Sequence, residues 1–235
     1  MPHLPTYIYL VFGLTVVAAI WLFARAAHYN KWFLIGLGAW LVLRTVPGLF
    51  FTNPAAAPSP PRFPFVLLVP IVAFLLLFNT ARGKAFIDQL SLRALTIFHI
   101  VRIPVEIVLF WLFAHKAIPE IMTFEGRNFD IFSGLSAPIM YYVGFATGKV
   151  NKSLLLVWNV TCLALVLNIV FYSVLSAPTR FQQFAFDQPN LAIGQFPFVL
   201  LPGCIVPLVL FAHLASIRKL LNLKKSPVDP KIVST

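Results

Sequence analysis

The sequence predicts an all-α polytopic membrane protein, a seven-transmembrane-helix bundle with its N-terminus outside and its C-terminus in the cytoplasm. Three observations carry that prediction. Of the 235 residues, 60% are hydrophobic and only 11% charged, whereas an ordinary soluble domain carries about 25% charged residues. The mean hydropathy is +0.88. The apolar residues also gather into seven runs close to the length of about 20 residues that a helix needs to cross a bilayer. A soluble chain of this size needs a polar skin, and 18 Lys and Arg with 7 Asp and Glu are too few to make one. Lipid tails accept an apolar exterior in its place.

The first run covers 5–25. No Lys or Arg precedes Arg25, and Arg25, His28 and Lys31 follow the run. It therefore lacks the basic start and small-residue exit of a cleaved signal peptide and reads as a retained span. The second covers 32–52 and ends in NPAAAPSPPR at 53–62, a proline-rich extended loop. The third, 63–80, is followed by a polar stretch at 81–92 carrying Arg82, Gly83, Lys84 and Asp88. The fourth, 93–115, leads into KAIPEIMTFEGRN at 116–128. The fifth, 129–148, and the sixth, 153–176, are separated only by KVNK. A long loop rich in Gln and Phe at 177–196 precedes the seventh, 197–218. Residues 1–221 thus form a single transmembrane domain, and 222–235 a basic cytoplasmic tail expected to be flexible.

Orientation follows from the basic residues. One set of loops holds Arg25, Lys31, Arg82, Lys84, Arg93, Lys149, Lys152, Arg218, Lys219, Lys224, Lys225 and Lys231, which is twelve. The other holds Arg62, Lys116, Arg127 and Arg180, which is four. The richer side is cytoplasmic by the positive-inside rule, so an odd number of crossings leaves the N-terminus outside. The cell (inner) membrane is the expected location. The net charge of +11 belongs to this pattern and not to nucleic-acid binding, because the basic residues are dispersed between apolar runs and form no stripe.

An internal echo points to a 3+1+3 parallel repeat. Phe63–Leu68 and Phe196–Leu201 are the same hexapeptide, FPFVLL. Weaker echoes pair Gly13-Leu14-Thr15 with Gly134-Leu135-Ser136, and Val42-Leu43-Arg44 with Val166-Leu167-Asn168. Two parallel three-helix units would then be joined by the fourth span, a layout found in some transporters.

Charged side chains inside spans are costly and mark candidate sites. The fourth span carries His99, Arg102 and Glu106, whose spacing places them on one helical face with Arg102 and Glu106 set for an i,i+4 ion pair. Pro104 between them removes a backbone donor and invites a kink. Arg44, Asn168, Asn159 and His213 lie at comparable depth in other spans. Counting from Arg93 and Arg218, His99 and His213 both lie about 8–9 Å from the inner boundary at 1.5 Å per residue. These seven residues form the expected intramembrane polar site. A second, external loop site comprises Glu125, Arg127, Asn128, Asp130 and Asp187. Within it, Asn128 and Asp130 also suit capping the start of the fifth span.

Cys162 and Cys204 lie in apolar runs and form neither a disulfide framework nor a metal motif, and no metal-ligand spacing occurs elsewhere. Phosphate-binding glycine loops, H-E-x-x-H and G-x-S-x-G are absent from the sequence. The sequence leaves the cofactor unknown, and the balance leans away from an enzyme. The reading favoured is a carrier or channel for a small solute or ion, with the lipid bilayer as surrounding partner. Three alternatives stand beside it: an intramembrane lipid-modifying enzyme using Glu106, His99 and the external acids, a b-type haem protein with His99 and His213 as axial ligands, and a non-catalytic membrane sensor or assembly factor.

Overall fold

A computed structural model of the chain describes residues 4–50, 62–145 and 150–223, with the side chains of 44, 46–50 and 62–68 outside the description. The tail from 224 onward and most of the proline-rich loop at 53–62 also lie outside it. The described residues are helical in the main, with α1 (Thr6–Ala26), α2 (Lys31–Phe50), α3 (Arg62–Asn79), α4 (Ala81–Gln89), α5 (Leu92–Phe98), α6 (Arg102–Ala114), α7 (Ile131–Val143), α8 (Lys152–Leu175) and α9 (Val206–Asn222). A 3-10 turn at His99–Val101 joins α5 to α6, and a π-helical turn at Leu201–Ile205 leads into α9.

Helix starts follow local chemistry. Asn30 accepts from the Trp32 and Phe33 amides at 3.1 Å each, Thr80 from Gly83, Ser91 from Ala94 and Asn151 from Leu154. Each side-chain oxygen satisfies an amide that has no partner within its own helix.

Among the described residues, four helices are long and apolar enough to cross a membrane: Thr6–Ala26, Leu92–Ala114, Lys152–Leu175 and Leu201–Asn222. A fifth crossing results if Val69–Asn79 and Ala81–Gln89, bent by 90°, count as one. The prediction of seven spans is therefore met only in part. The region predicted as a span over 129–148 holds a helix of 13 residues, about 20 Å long at 1.5 Å per residue against a hydrocarbon core of about 30 Å. The 90° turn at Thr80 depends on Gly83, since a Cβ there would collide with the backbone of Leu77.

The two FPFVLL copies take different local conformations. Residues 63–68 lie inside α3, whereas 196–199 form turns and only 200–201 enter the helical segment before α9. Hydropathy is shared between the two copies, but backbone path is not.

The α5–α6 rod lies at the centre, packed by α1, α7 and α9, and α8 packs along α9. Phe211 of α9 is an aromatic hub, with ring centroids 5.9 Å from Phe23, 5.6 Å from Phe74, 6.0 Å from Phe78 and 6.4 Å from Phe86. It ties α1, α3 and α4 to α9, and Phe23 extends the cluster to Phe33 and Phe98. Contacts of this kind add about 0.5–1.5 kcal/mol each beyond area burial.

The two ends of the bundle differ. At one, Ser91 donates its amide to Ala26, Arg218 pairs with Asp88 at 3.4 Å and Lys219 donates to the Asp88 carbonyl. Lys152 reaches the Leu223 carbonyl at the same end. At the other, Leu191 and Ala192 donate to Ala117, Asn190 to Ser173, and Asn168 to the Arg127 carbonyl.

Candidate functional site

Pro104 has no amide hydrogen to give Ile100, and its ring crowds that carbonyl. The backbone tightens into the 3-10 turn immediately before it, where the Arg102 amide donates to His99. His99, Arg102 and Glu106 are all buried, at 0%, 2% and 1% exposure.

Arg102 and Glu106 do not form the expected intrahelical pair. The segment between α6 and α7 supplies their partners instead. The segment turns back through Thr123, whose carbonyl accepts from both Gly126 and Asn128, and this carries Asn128 and Asp130 inward. Arg102 Nη1 lies 2.9 Å from Asp130 Oδ1. Asn128 Nδ2 donates to both Glu106 oxygens, at 2.8 and 2.7 Å, and to the Met122 carbonyl at 3.1 Å. Its Oδ1 accepts from the Asp130 amide, which fixes which way the carboxamide faces. Ser133 donates to Asp130 at 3.4 Å. Asp130 sits at the N-terminus of α7 but makes no side-chain cap there, because its carboxylate is turned toward Arg102.

Gly134 allows this approach. A Cβ on it would lie 2.9 Å from Ile103 Cγ1, 3.0 Å from the Ile103 amide nitrogen and 3.2 Å from Arg102 Cβ. The helix α7 can therefore come close enough to α6 for Asp130 to reach the guanidinium.

One turn away, the His99 and His213 rings stack face to face with centroids 3.9 Å apart and planes 11° from parallel. Asn159 anchors the stack. Its Nδ2 donates to the Leu155 carbonyl at 2.8 Å, so its Oδ1 faces His213 Nδ1 at 2.9 Å and accepts from it. Trp158 meets both rings edge-on. Stacked in this way, the rings do not clamp a planar macrocycle between them, since axial haem ligands point their nitrogens at one iron from opposite faces. The expectation of a bis-histidine haem site is corrected on that geometry.

Several buried nitrogens in the cluster have no partner among the described residues: Arg102 Nε and Nη2, both His99 ring nitrogens and His213 Nε2. Buried polar groups left unmatched are uncommon in folded proteins. A groove of about 340 Å³ between α7 and α8 runs up to the cluster and is lined by Ser133, Ser136, Trp158, Thr161 and Cys162 among apolar side chains. Its rim residues Phe132, Leu135 and Ile139 are exposed, so it opens on the side of the bundle.

The structure thus brings together His99, Arg102, Glu106, Asn159 and His213 from the expected intramembrane site with Asn128 and Asp130 from the expected loop site. Asn168 is apart, bonded to the Arg127 carbonyl at one end of the bundle. The Arg44 side chain lies outside the described residues. Glu125, Arg127 and Asp187 are exposed, and Arg127 reaches the Tyr172 hydroxyl at 3.2 Å. That hydrogen bond raises the Arg127 pKa above its ordinary value. Ser133 and Trp158 were not foreseen. The placement of Ser133 three residues after Asp130, on the same helical face, was the signal available for it.

No family model, curated protein or solved structure matches this chain. The site's own chemistry must carry the functional reading.

Proposed function

We propose that this integral membrane protein is a carrier for a small solute or ion, in the seven-segment, N-outside topology, with the buried cluster as its binding element. The observation that supports this reading is a charge count within a desolvated site. Two buried carboxylates share the cluster with one guanidinium: Asp130 pairs with Arg102, and Glu106 is held beside them through Asn128, which also accepts from the Asp130 amide. The charge balances when a proton or a cation joins the three. The unpartnered Arg102 donors and histidine nitrogens would receive a polar solute. Pro104 and the 3-10 turn give the central rod a place to flex without breaking an ordinary helical hydrogen bond.

The test uses proteoliposomes loaded with a pH-reporting dye and subjected to an imposed potassium gradient. Wild-type protein is expected to dissipate a pH gradient faster than empty liposomes, and Glu106→Gln to return the rate to that of empty liposomes while eluting and melting as a folded protein. If wild-type and empty liposomes are indistinguishable, the carrier reading fails. A second reading, an intramembrane enzyme acting on lipid, is favoured by one feature: the groove reaches the cluster laterally, from the direction of the membrane. Mass spectrometry of a lipid extract incubated with the protein would then show a new species that depends on Glu106.

A further inference from the structure

A different feature stands at the end of the bundle where Asp88 meets Arg218. An open cleft of about 540 Å³ is lined there by Arg25, His28, Tyr29, Ser91, Arg93 and Tyr141. Its charged side chains are all basic. No ion pair involves Arg25, His28 or Arg93 among the described residues, and the carboxylate of Asp88, the nearest acid along the chain, is engaged by Arg218. The cleft is a built site. Arg93 is held by a hydrogen bond from Nη2 to the Phe145 carbonyl at 3.2 Å and by its stack on the Phe145 ring at 5.3 Å, while its Nε is buried without a partner. His28 and Tyr29 both take left-handed backbone, with φ of 49° and 51°. Two consecutive non-glycine residues in that region are strained. The turn is closed by Tyr29 donating to Ala24 and is tied to the start of α5 by Ser91 donating to Ala26. This conformation sets His28 and Tyr29 on the cleft wall.

We infer that this cleft binds the phosphate-bearing headgroup of an anionic phospholipid. The position selects a lipid source for the phosphate. Arg25 lies in the last turn of the spanning helix Thr6–Ala26 and Arg93 in the first turn of the spanning helix Leu92–Ala114, so both stand at one membrane boundary, the level of headgroups. Two arginines offer forked donors to phosphate oxygens, and Tyr29 and Tyr141 are the residue type that favours the interface. Basic pockets between spans are the sites where anionic headgroups bind. A cleft of about 540 Å³ exceeds a bare phosphate and suits a phosphoglycerol group.

Native mass spectrometry and thermal melting of the full chain in detergent test this, with phosphatidylglycerol, chain-matched phosphatidylcholine and soluble glycerol 3-phosphate as separate additions. Phosphatidylglycerol is expected to be retained about tenfold over phosphatidylcholine and to raise the melting temperature. The double variant Arg25→Gln/Arg93→Gln should lose that preference, and Arg180→Gln, at the other end, should keep it. Because Arg93 also holds Phe145, Arg25→Gln/His28→Asn is the second variant and should lower the preference with wild-type melting in phosphatidylcholine. Retention equal to wild type in these variants overturns the inference. So does glycerol 3-phosphate producing the full shift without lipid, which would mark a soluble anion site.

Discussion

Arg102 is buried to 2% exposure, and among the described residues its ion-pair partner is Asp130. Removing one partner from such a pair leaves an uncompensated charge and typically costs about 3–5 kcal/mol, whereas replacing both with apolar residues is close to neutral. Asp130→Asn should therefore destabilise the protein strongly, and the double variant Arg102→Met/Asp130→Leu should recover much of the loss. Denaturant unfolding followed by circular dichroism measures both. Additive losses in the double variant would mean that the two side chains do not act as a pair. At the same scale, Asn128 shows what a single residue can conceal from sequence reading. In the string RNFD it reads as a helix cap, and nothing in its neighbours announces that its carboxamide will serve both oxygens of a glutamate in another helix.

The helix α7 is the element on which the site depends. It is short, contains Pro138 and carries Gly134 at its closest approach to α6. Gly134→Ala forces a methyl against the Ile103 backbone and should cost about 1–3 kcal/mol, read as a lowered melting temperature. Gly13→Ala, in a helix where a methyl meets nothing within 4 Å, should be neutral or slightly stabilising through helix propensity. Equal effects of the two would show that the α6–α7 approach is not tight. Hydropathy reads helices such as α1 and α8 well, because a long run facing lipid has no competing signal. It over-extends α7, since the polar segment that dives inward before it and the turn after it are themselves partly apolar. The i,i+4 spacing of Arg102 and Glu106 was legible, but a helix cannot report that better partners arrive from a distant segment.

Across the molecule, five of the twelve basic residues expected on one side lie near one end: Arg25 and Arg93 line one cleft, Arg218 and Lys219 bond to Asp88, and Lys152 bonds to the Leu223 carbonyl. The proposed orientation is checked by a membrane-impermeant maleimide. The two natural cysteines are buried, so the background is low. A cysteine in place of Asp187 should label in intact cells, and one in place of Lys84 only in inverted vesicles. The reverse pattern would invert the topology.

The aromatic hub on α9 bears on how the protein is made. The segment Leu201–Asn222 supplies Phe211 to the packing of α1, α3 and α4, His213 to the histidine stack, and Arg218 to Asp88. It follows every one of those elements in chain order. A ribosome-bound chain halted before residue 201 would already hold His99 among the helices and Asp88 at the end of the bundle, with neither partner yet synthesised. All three contacts therefore wait on α9, the last of the described helices in chain order.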